Sequence, residues 1–363
     1  MKRTAIVLLI LGGLIFSKTY AADTKVEGRI YGTWWMYMND STFVNGENAV
    51  DQKGFNQFSL DRSYMTLKSK LTDYTSVTIT SDLRTITGYS GYAMILKNGY
   101  ANIKMPFKPA LSLSLGLQPT KFLDYVDNQV WGHRYIERSV GDRTGLWTSA
   151  DLGATIDYAF GQSGTQGAVG LSIWNGTSYS NLVENNKNKD FNFYAAYKPL
   201  INNPKFDRTI LVGSVYMGTQ NVVIDTSMDA GDYKRQIISV AGKVNYGAYL
   251  DFGAEYWSNT LGEGAGADDL KQSAISFNAA LYAKPFVSDK SALRTLDLLF
   301  RYDIFDPNTD SDAGKNNMNM MIVGLECAPV KGINASLNYR SYGFENSNLD
   351  SQNYLYFNSE FRF

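Results

Sequence analysis

One polar stretch of the sequence, residues 119–148, brings acidic and basic side chains close together. Its charged members are Lys121, Asp124, Asp127, Arg134, Glu137, Arg138, Asp142 and Arg143, with His133 between them. Charges of both signs at this spacing can pair with one another and hold the stretch folded. They can equally line a narrow aqueous passage, where charges and their field decide which ions pass. The sequence leaves both roles open.

Aromatic residues in the same stretch, Tyr125, Trp131, Tyr135 and Trp147, allow a second hypothesis. A row of exposed rings could contact the apolar faces of sugars. Packing of the rings against a wall is the simpler interpretation, because aromatic side chains bury large apolar surfaces.

Residues for catalysis or metal binding are scarce. His133 is the single histidine and Cys327 the single cysteine, and they lie far apart in sequence. Neither a serine–histidine arrangement nor a zinc site is therefore indicated. We expect no enzyme and no cofactor, with a hydrolase as the less favoured alternative.

A short acidic stretch near residue 306 has the spacing of calcium ligands. Asp306, Asn308, Asp310 and Asp312 alternate with other residues. An EF-hand loop would need glycine at its sixth and glutamate at its twelfth position, where Ser311 and Asn317 stand. A solvated loop is the preferred interpretation, and calcium binding is the alternative.

The elements that must position these residues are indicated by composition and by both ends of the chain. Lys2 and Arg3, the apolar run from Ala5 to Phe16 and the small residues around Ala21 predict a signal peptide over 1–21, followed by one exported domain over 22–363. The many aromatic residues and 32 glycines against 8 prolines favour strands joined by turns. A net charge of −1 gives no argument for a nucleic-acid partner.

Apolar and polar residues alternate with a period of two in sixteen segments, which predicts sixteen strands. They lie at 26–38, 55–70, 75–86, 93–105, 110–118, 149–160, 167–174, 191–198, 208–218, 234–245, 247–258, 271–284, 293–305, 317–328, 333–342 and 352–363. Connections after odd strands are mostly long and those after even strands short. An even strand number with short turns at one end is typical of an outer-membrane barrel. A soluble sandwich also alternates, but its strands are shorter, with a mode of ~5–6 residues.

With this architecture, the sequence resembles Gram-negative porins. Residues 58–68 with 77–82, and 131–138 with 149–153, resemble segments of porins related to the phosphate-selective O/P type. The resemblance implies a homotrimer in outer-membrane lipid, through which small hydrophilic solutes diffuse passively. It also implies that the third external loop folds into the lumen as a constriction, and 119–148 occupies that place after the fifth strand. The basic residues are dispersed among acids, so the sequence does not show a phosphate filter.

The polar faces of the strands would line the pore if the apolar faces meet lipid. Basic candidates for the wall are Arg29, Arg62, Lys68, Arg84, Lys104, Lys198, Arg235, Lys243, Lys284, Arg301, Arg340 and Arg362. Acidic candidates are Glu27, Asp82, Asp151, Asp157, Asp251, Glu255, Asp297, Asp303, Glu326 and Glu360. This nearly even lining predicts weak ion selectivity. A channel selective for anions, phosphate or sugars, and a structural or adhesive barrel, are the alternatives.

The last strand is expected to close the barrel, and its final residue has a second expected role. Leu355, Phe357, Phe361 and Phe363 should face outward, and the strand should pair with the first one. The resemblance implies that Phe363 is part of a signal read by the outer-membrane assembly machinery. Aromatic residues near other strand ends, Tyr256, Trp257, Phe286 and Phe305, are predicted to form interfacial girdles.

Overall fold

The computed structural model describes residues 23–40, 43–45, 49–51, 53–86, 90–161, 164–224, 228–288, 291–310, 317–346 and 348–363. The predicted signal peptide and Asp312 of the calcium hypothesis lie outside these ranges. The described ranges contain eighteen strands: β1 Asp23–Tyr37, β2 Phe43–Asn45, β3 Ala49–Asp51, β4 Asn56–Lys70, β5 Thr75–Thr85, β6 Tyr92–Met105, β7 Lys108–Pro119, β8 Ala150–Phe160, β9 Gly167–Trp174, β10 Asp190–Tyr197, β11 Ile210–Thr219, β12 Lys234–Tyr246, β13 Leu250–Leu261, β14 Leu270–Tyr282, β15 Leu296–Asp306, β16 Met318–Val330, β17 Ile333–Phe344 and β18 Gln352–Arg362.

Sixteen of these strands form one closed antiparallel barrel, in the order β1, β18 down to β7, β6, β5 and β4. The last strand pairs with β17 on one side and with β1 on the other, from Arg29 opposite Arg362 to Tyr37 opposite Tyr354. The predicted all-β barrel of sixteen strands is therefore confirmed. No helix in the described ranges is long and apolar enough to cross a membrane.

The structure adds details that the alternation did not predict. Strands β2 and β3 form a separate two-stranded hairpin within the first long connection. The predicted strand 293–305 begins only at Leu296, because Ala292–Thr295 form a 3₁₀ turn. The hydroxyl of Ser291 accepts a hydrogen bond from the Leu293 amide, and this cap favours the turn over an extended start.

Alternation in each strand separates an outer apolar face from an inner face. On β12, Ile238, Val240 and Val244 are exposed on the outside, whereas Ser239 and Asn245 are buried on the inside. The predicted girdle positions divide by the same rule: Tyr256 and Phe286 are exposed, but Trp257 and Phe305 are buried. The girdle prediction is wrong for Trp257 and Phe305, because each directly follows an exposed residue, Tyr256 or Ile304, and neighbours on a strand face opposite sides.

Two β-bulges decide which charges point inward. The pairing of β1 with β4 shifts between Tyr31 and Gly32 and leaves Asp61 without a direct partner. The pairing of β5 with β6 shifts between Thr80 and Ser81 and leaves Lys97 without one. A bulge reverses the alternation beyond it. Lys97 therefore lies on the inner side, where a strict period of two would not place it.

Two glycines lie directly opposite each other where β7 and β8 lead into and out of the long segment between them. Gly116 has a φ of +121°, which L side chains rarely adopt, and a Cβ there would lie 2.3 Å from the carbonyl oxygen of Gly99. A Cβ at Gly153 would lie 2.1 Å from the carbonyl oxygen of Ile173. Both positions need glycine because backbone of a neighbouring strand approaches them closely.

Gly153→Ala should destabilise the barrel by about 1–3 kcal/mol, because the new methyl group overpacks against backbone that is fixed by strand pairing. Thermal unfolding of the detergent-solubilised protein, followed by its electrophoretic mobility after heating, measures the effect. Gly213→Ala is the matched control, since a Cβ there would lie 4.0 Å from the nearest atom, the carbonyl oxygen of Ser239. Equal unfolding midpoints for the two variants would contradict this account.

Candidate functional site

The connection between β7 and β8, residues 120–149, has its own secondary structure. A helix at Lys121–Tyr125 continues into a π-helical turn at Val126–Val130, and a second short helix covers Val140–Arg143. The Thr120 hydroxyl donates to the carbonyl oxygen of Thr148 at 2.8 Å and closes the base of the segment. We call residues 120–149 the central segment.

Apolar side chains from both halves of the central segment attach it to the inner face of strands β9 to β15. Phe122, Leu123, Val126, Val130, Val140, Leu146 and Trp147 are buried together with Trp174, Tyr216, Ile237, Trp257, Ala274 and Phe305. The rings of Phe122 and Trp257 meet edge to face with centroids 5.0 Å apart. The inner wall is therefore apolar where the segment packs on it, which explains the inward Ile237 and Trp257.

A second apolar cluster attaches the middle of the central segment to strands β14 to β16 and to β1. Trp131, Tyr135 and Ile136 are buried with Leu299, Met320, Ile322, Ala280 and Tyr31. Trp131 also donates from Nε1 to the carbonyl oxygen of Glu137 at 2.9 Å. Trp131, Tyr135 and Trp147 are thus buried by packing, as in the simpler interpretation of these aromatic residues.

Polar contacts join the central segment to four strands. The guanidinium of Arg340 donates to the Glu137 carboxylate at 2.8 Å and to the Ile136 carbonyl oxygen at 2.9 Å. Arg143 donates to Asp303 at 3.1 Å, and Tyr135 donates to Glu326 at 2.8 Å. The amide of Val140 donates to Glu255 at 3.0 Å. Charged residues far apart in sequence are thus paired across the barrel.

Charges also pair within the central segment. Arg134 hydrogen-bonds Asp127 and lies 3.2 Å from Asp142, which Arg138 approaches to 3.5 Å. Burial would raise the pKa of Asp142, but the guanidinium groups of Arg134 and Arg138 outweigh burial and lower it. In the same way, Arg340 and Arg138 hold the pKa of Glu137 below its ordinary value despite its burial. These carboxylates stay ionised where they are.

The remaining predicted residues of the segment have different positions. His133 lies with Nδ1 3.0 Å from Glu326, and its ring packs against Trp131. Lys121 and Asp124 line an open cavity, as does Asn128, which donates to Asp124 at 2.8 Å. Both roles considered for the charges of this stretch, internal pairing and lining of a passage, therefore have residues that fit them.

We call the inner face of strands β13 to β16 the far wall. Its acidic residues are engaged by protein partners. Asp303 accepts from Nε of Arg301 at 2.8 Å, and Glu255 accepts from Trp257 at 2.8 Å. Asp251 accepts from Arg208 at 2.8 Å and lies 3.2 Å from Lys243. These acids are buried. They cannot contribute to the charge of an open passage in the way that an even count of wall residues assumes.

We call the inner face of strands β1 and β4 to β6 the near wall. Its basic residues are more exposed than the acids of the far wall. Arg62 and Arg84 lie 3.6 and 3.8 Å from Asp82, and their side chains remain partly exposed. Lys97 donates to Ser149 at 3.0 Å. Two further predicted residues are exposed: Lys68, which pairs with Glu27 at 2.8 Å, and Lys104, near the short turn after β6.

Two cavities lie between the central segment and the near wall. The larger, of about 1240 Å³, is toward the short turns, and we call it the turn-end cavity. The smaller, of about 540 Å³, is toward the long loops, and we call it the loop-end cavity. Tyr31, Arg134 and Tyr135 line both, so these three residues lie at the boundary between the two cavities, which we call the neck.

Basic side chains outnumber acidic ones in both cavities. The turn-end cavity has seven basic residues, Arg29, Lys68, Lys97, Lys121, Arg134, Lys331 and Arg362, and four acidic ones, Glu27, Asp124, Asp127 and Glu360. The loop-end cavity has five arginines, Arg62, Arg84, Arg134, Arg138 and Arg340, and two acids, Asp61 and Glu137. Sequence alternation did not reveal this excess, because it does not show which inward acids are covered.

The acidic stretch near residue 306 forms a turn at the long-loop end. The Asp306 carboxylate accepts from the Asn308 amide at 3.0 Å, and the Asn308 side chain accepts from the Asp310 amide at 3.2 Å. Asp310 also lies 2.9 Å from Lys271. In the described ranges, no group of three or more His, Cys, Asp or Glu side chains is placed to hold a metal ion.

The fold of this barrel is similar to the folds of solved outer-membrane proteins. The outer-membrane channel DcaP of Acinetobacter baumannii is similar with a TM-score of 0.65 and 12% identity, covering 96% of this chain and 99% of that one. OmpT of Vibrio cholerae is similar with a TM-score of 0.61 and 13% identity, and the match covers 96% of this chain and 99% of that one. An anion-selective porin from Comamonas acidovorans is similar with a TM-score of 0.57 and 12% identity, and the match covers 94% of this chain and 100% of that one. At these identities the likeness shows the fold alone.

Sequence comparisons add no closer relative. No protein-family model matches the chain, and no curated protein matches it.

Docking of the central segment should loosen in acid. A carboxylate whose pKa is lowered by folding contributes stability above its ordinary pKa of about 4, and this contribution is lost as the pH falls through the lowered value. Acrylamide quenching of tryptophan fluorescence should therefore increase between about pH 5 and pH 2, as Trp131 and Trp147 become accessible.

Glu137→Gln tests the origin of this effect. The variant should weaken docking at neutral pH by about 1–3 kcal/mol, because Arg340 loses its charged partner, and should show a shallower dependence on pH. The exposed Glu263→Gln is the matched control. An identical pH profile in wild type and Glu137→Gln would show that Glu137 is not responsible.

Proposed function

We propose that this protein is an outer-membrane diffusion channel for ions and small hydrophilic solutes. The observation that carries the proposal is the pair of cavities between the central segment and the near wall, inside a closed barrel whose outer face is apolar. A closed barrel with an apolar exterior suits a bilayer. A lining of charged and polar side chains suits water and ions.

In this proposal the central segment is the constriction loop. It covers the acidic far wall and leaves an off-centre passage along strands β1 and β4 to β6. Its attachment by two apolar clusters and by the pairs of Arg340 and Arg143 supports a fixed constriction rather than a mobile lid. Tyr31, Arg134 and Tyr135 form the narrowest part, because they line the cavities on both sides.

The excess of basic side chains in both cavities supports a preference for anions over cations. This departs from the weak selectivity that the strand faces alone predict. The anion-selective porin to which the barrel is similar provides a precedent for such a preference in this fold. The narrower resemblance to phosphate-selective porins stays a hypothesis, since the open arginines are interspersed with Asp61, Asp82 and Glu137.

The wider setting is proposed on the same basis. We expect a homotrimer in the outer membrane of a Gram-negative bacterium, as one of the similar structures is described as a trimer form. Export across the periplasm and recognition of Phe363 by the assembly machinery belong to this proposal. A hydrolytic function has less support, because the contacts of His133 with Trp131 and Glu326 anchor the central segment.

The purified protein should give discrete current steps in planar lipid bilayers, and in a potassium chloride gradient the reversal potential should have the sign of chloride permeation. The physical reason is the positive field of the open cavities, which raises the local anion concentration. Absence of current steps would overturn the channel proposal. Steps with a cation-selective reversal potential would overturn the anion preference alone.

Arg134→Ala should raise the single-channel conductance and reduce the anion preference, because it shortens a charged side chain at the neck between the cavities. Single-channel recording measures both quantities. Arg138→Ala is the matched control, since Arg138 lines only the loop-end cavity. Acrylamide quenching must stay at the wild-type level, which shows that the segment is still docked. Equal conductance in wild type and a docked Arg134→Ala would contradict the assignment of the neck.

A further inference from the structure

Two arginines of the loop-end cavity have unused hydrogen-bonding capacity. Arg62 on β4 and Arg84 on β5 both line this cavity. Their nearest carboxylate is Asp82, at 3.6 Å from Arg62 and 3.8 Å from Arg84, beyond hydrogen-bonding distance. Within the described ranges neither guanidinium donates a hydrogen bond to the protein. Each guanidinium offers five N–H donors in a planar fork.

Asp82 gives this pair a defined net charge. Its carboxylate is fully buried beside the two guanidinium groups, and neither of its oxygens accepts a hydrogen bond in the described part of the chain. It neutralises about one of the two positive charges at this distance. The remaining single positive charge matches a monoanion better than a dianion.

The environment of the pair is partly aromatic. Trp35, Tyr92, Tyr342 and Tyr356 line the same cavity, together with Leu60. Arg138 of the central segment lines it as well, and its side chain is 37% exposed. An anion bound to Arg62 and Arg84 would therefore have apolar ring surface within the same cavity.

The other arginines of the cavity are already engaged. Arg134 pairs with Asp127 and Asp142, and Arg340 pairs with Glu137 while lying 4.0 Å from the centre of the Tyr356 ring. Arg138 donates to Asp142 at 3.5 Å, so Arg62 and Arg84 are the two of the five arginines that donate no hydrogen bond to the protein within the described ranges.

We propose that Arg62 and Arg84, set by the buried Asp82, form a binding site for small organic monocarboxylates in the loop-end cavity. The carboxylate accepts N–H donors from both guanidinium groups, a geometry that the planar fork favours. The carbon body of the ligand contacts the aromatic residues of the cavity. Inorganic phosphate gains less, because its second charge faces Asp82 and it has no apolar body. The inference rests on the proposed channel only in that the site then lies on the permeation path.

The experiment measures block of the chloride current through single channels by benzoate, acetate and inorganic phosphate. Benzoate should block with saturation, at a concentration about tenfold lower than acetate, because its ring removes apolar surface from water. Phosphate should block more weakly than benzoate. Equal block by phosphate and benzoate would overturn the assignment to organic carboxylates, and absence of saturating block by any of the three would overturn the site.

Variants locate the site. Arg62→Gln combined with Arg84→Gln should abolish benzoate block while chloride steps persist. Arg62→Lys combined with Arg84→Lys keeps the charge but loses the fork, and should weaken block about tenfold. Lys331→Gln is the control for charge alone, because it removes a positive charge from the turn-end cavity and should leave benzoate block unchanged. Undiminished block in the double glutamine variant would overturn the assignment of these residues.

A direct binding measurement separates this inference from the channel proposal. Isothermal titration of benzoate into the detergent-solubilised protein should give binding in wild type and none in the double glutamine variant, whether or not the protein conducts. Heat release in wild type without current steps would support the site and overturn the channel. Current steps without benzoate binding would support the channel and overturn the site.

Discussion

Closure of the hydrogen-bonded barrel is the constraint on which the other features depend. Because β18 pairs with both β17 and β1, the sixteen-stranded sheet has no open edge. In hydrocarbon an open edge would leave backbone donors and acceptors without partners, at a cost of several kcal/mol each. Closure also fixes two faces for every strand, one outside and one inside. The inner face must then find partners for the charged side chains that alternation directs into it.

The central segment provides several of these partners on one side. Arg143 reaches Asp303, the Val140 amide reaches Glu255, and Tyr135 reaches Glu326. Hydrogen bonds to charged groups contribute about 1.5–3 kcal/mol each, so together these contacts hold the segment strongly. Because of these contacts, the carboxylates of the far wall are paired with protein donors and do not face open water. The charge left to the open cavities is consequently more basic than the whole inner wall.

Much of this architecture could be predicted from the sequence. Every predicted strand overlaps an observed one, and the long connection 119–148 is the central segment almost to the residue. Period-two alternation fails at particular places with particular causes. A bulge at Asp61 interrupts the alternation beside Arg62, and a bulge at Lys97 turns that lysine inward. Trp257 is an exception to the expectation that aromatic residues near strand ends face lipid, because it points inward and packs against Phe122.

The sequence by itself determined the strands, their order and their two faces, because strand formation and alternation depend on neighbours a few residues apart. It also supplied the charged residues of the central segment. Only the tertiary structure decided which charges meet, since Glu137 and Arg340 are distant in sequence and become neighbours through barrel closure and segment docking. That choice leaves Arg62 and Arg84 open while Asp303 and Glu255 are covered. The electrostatic character of a passage depends on such covering, which is a property of three-dimensional packing.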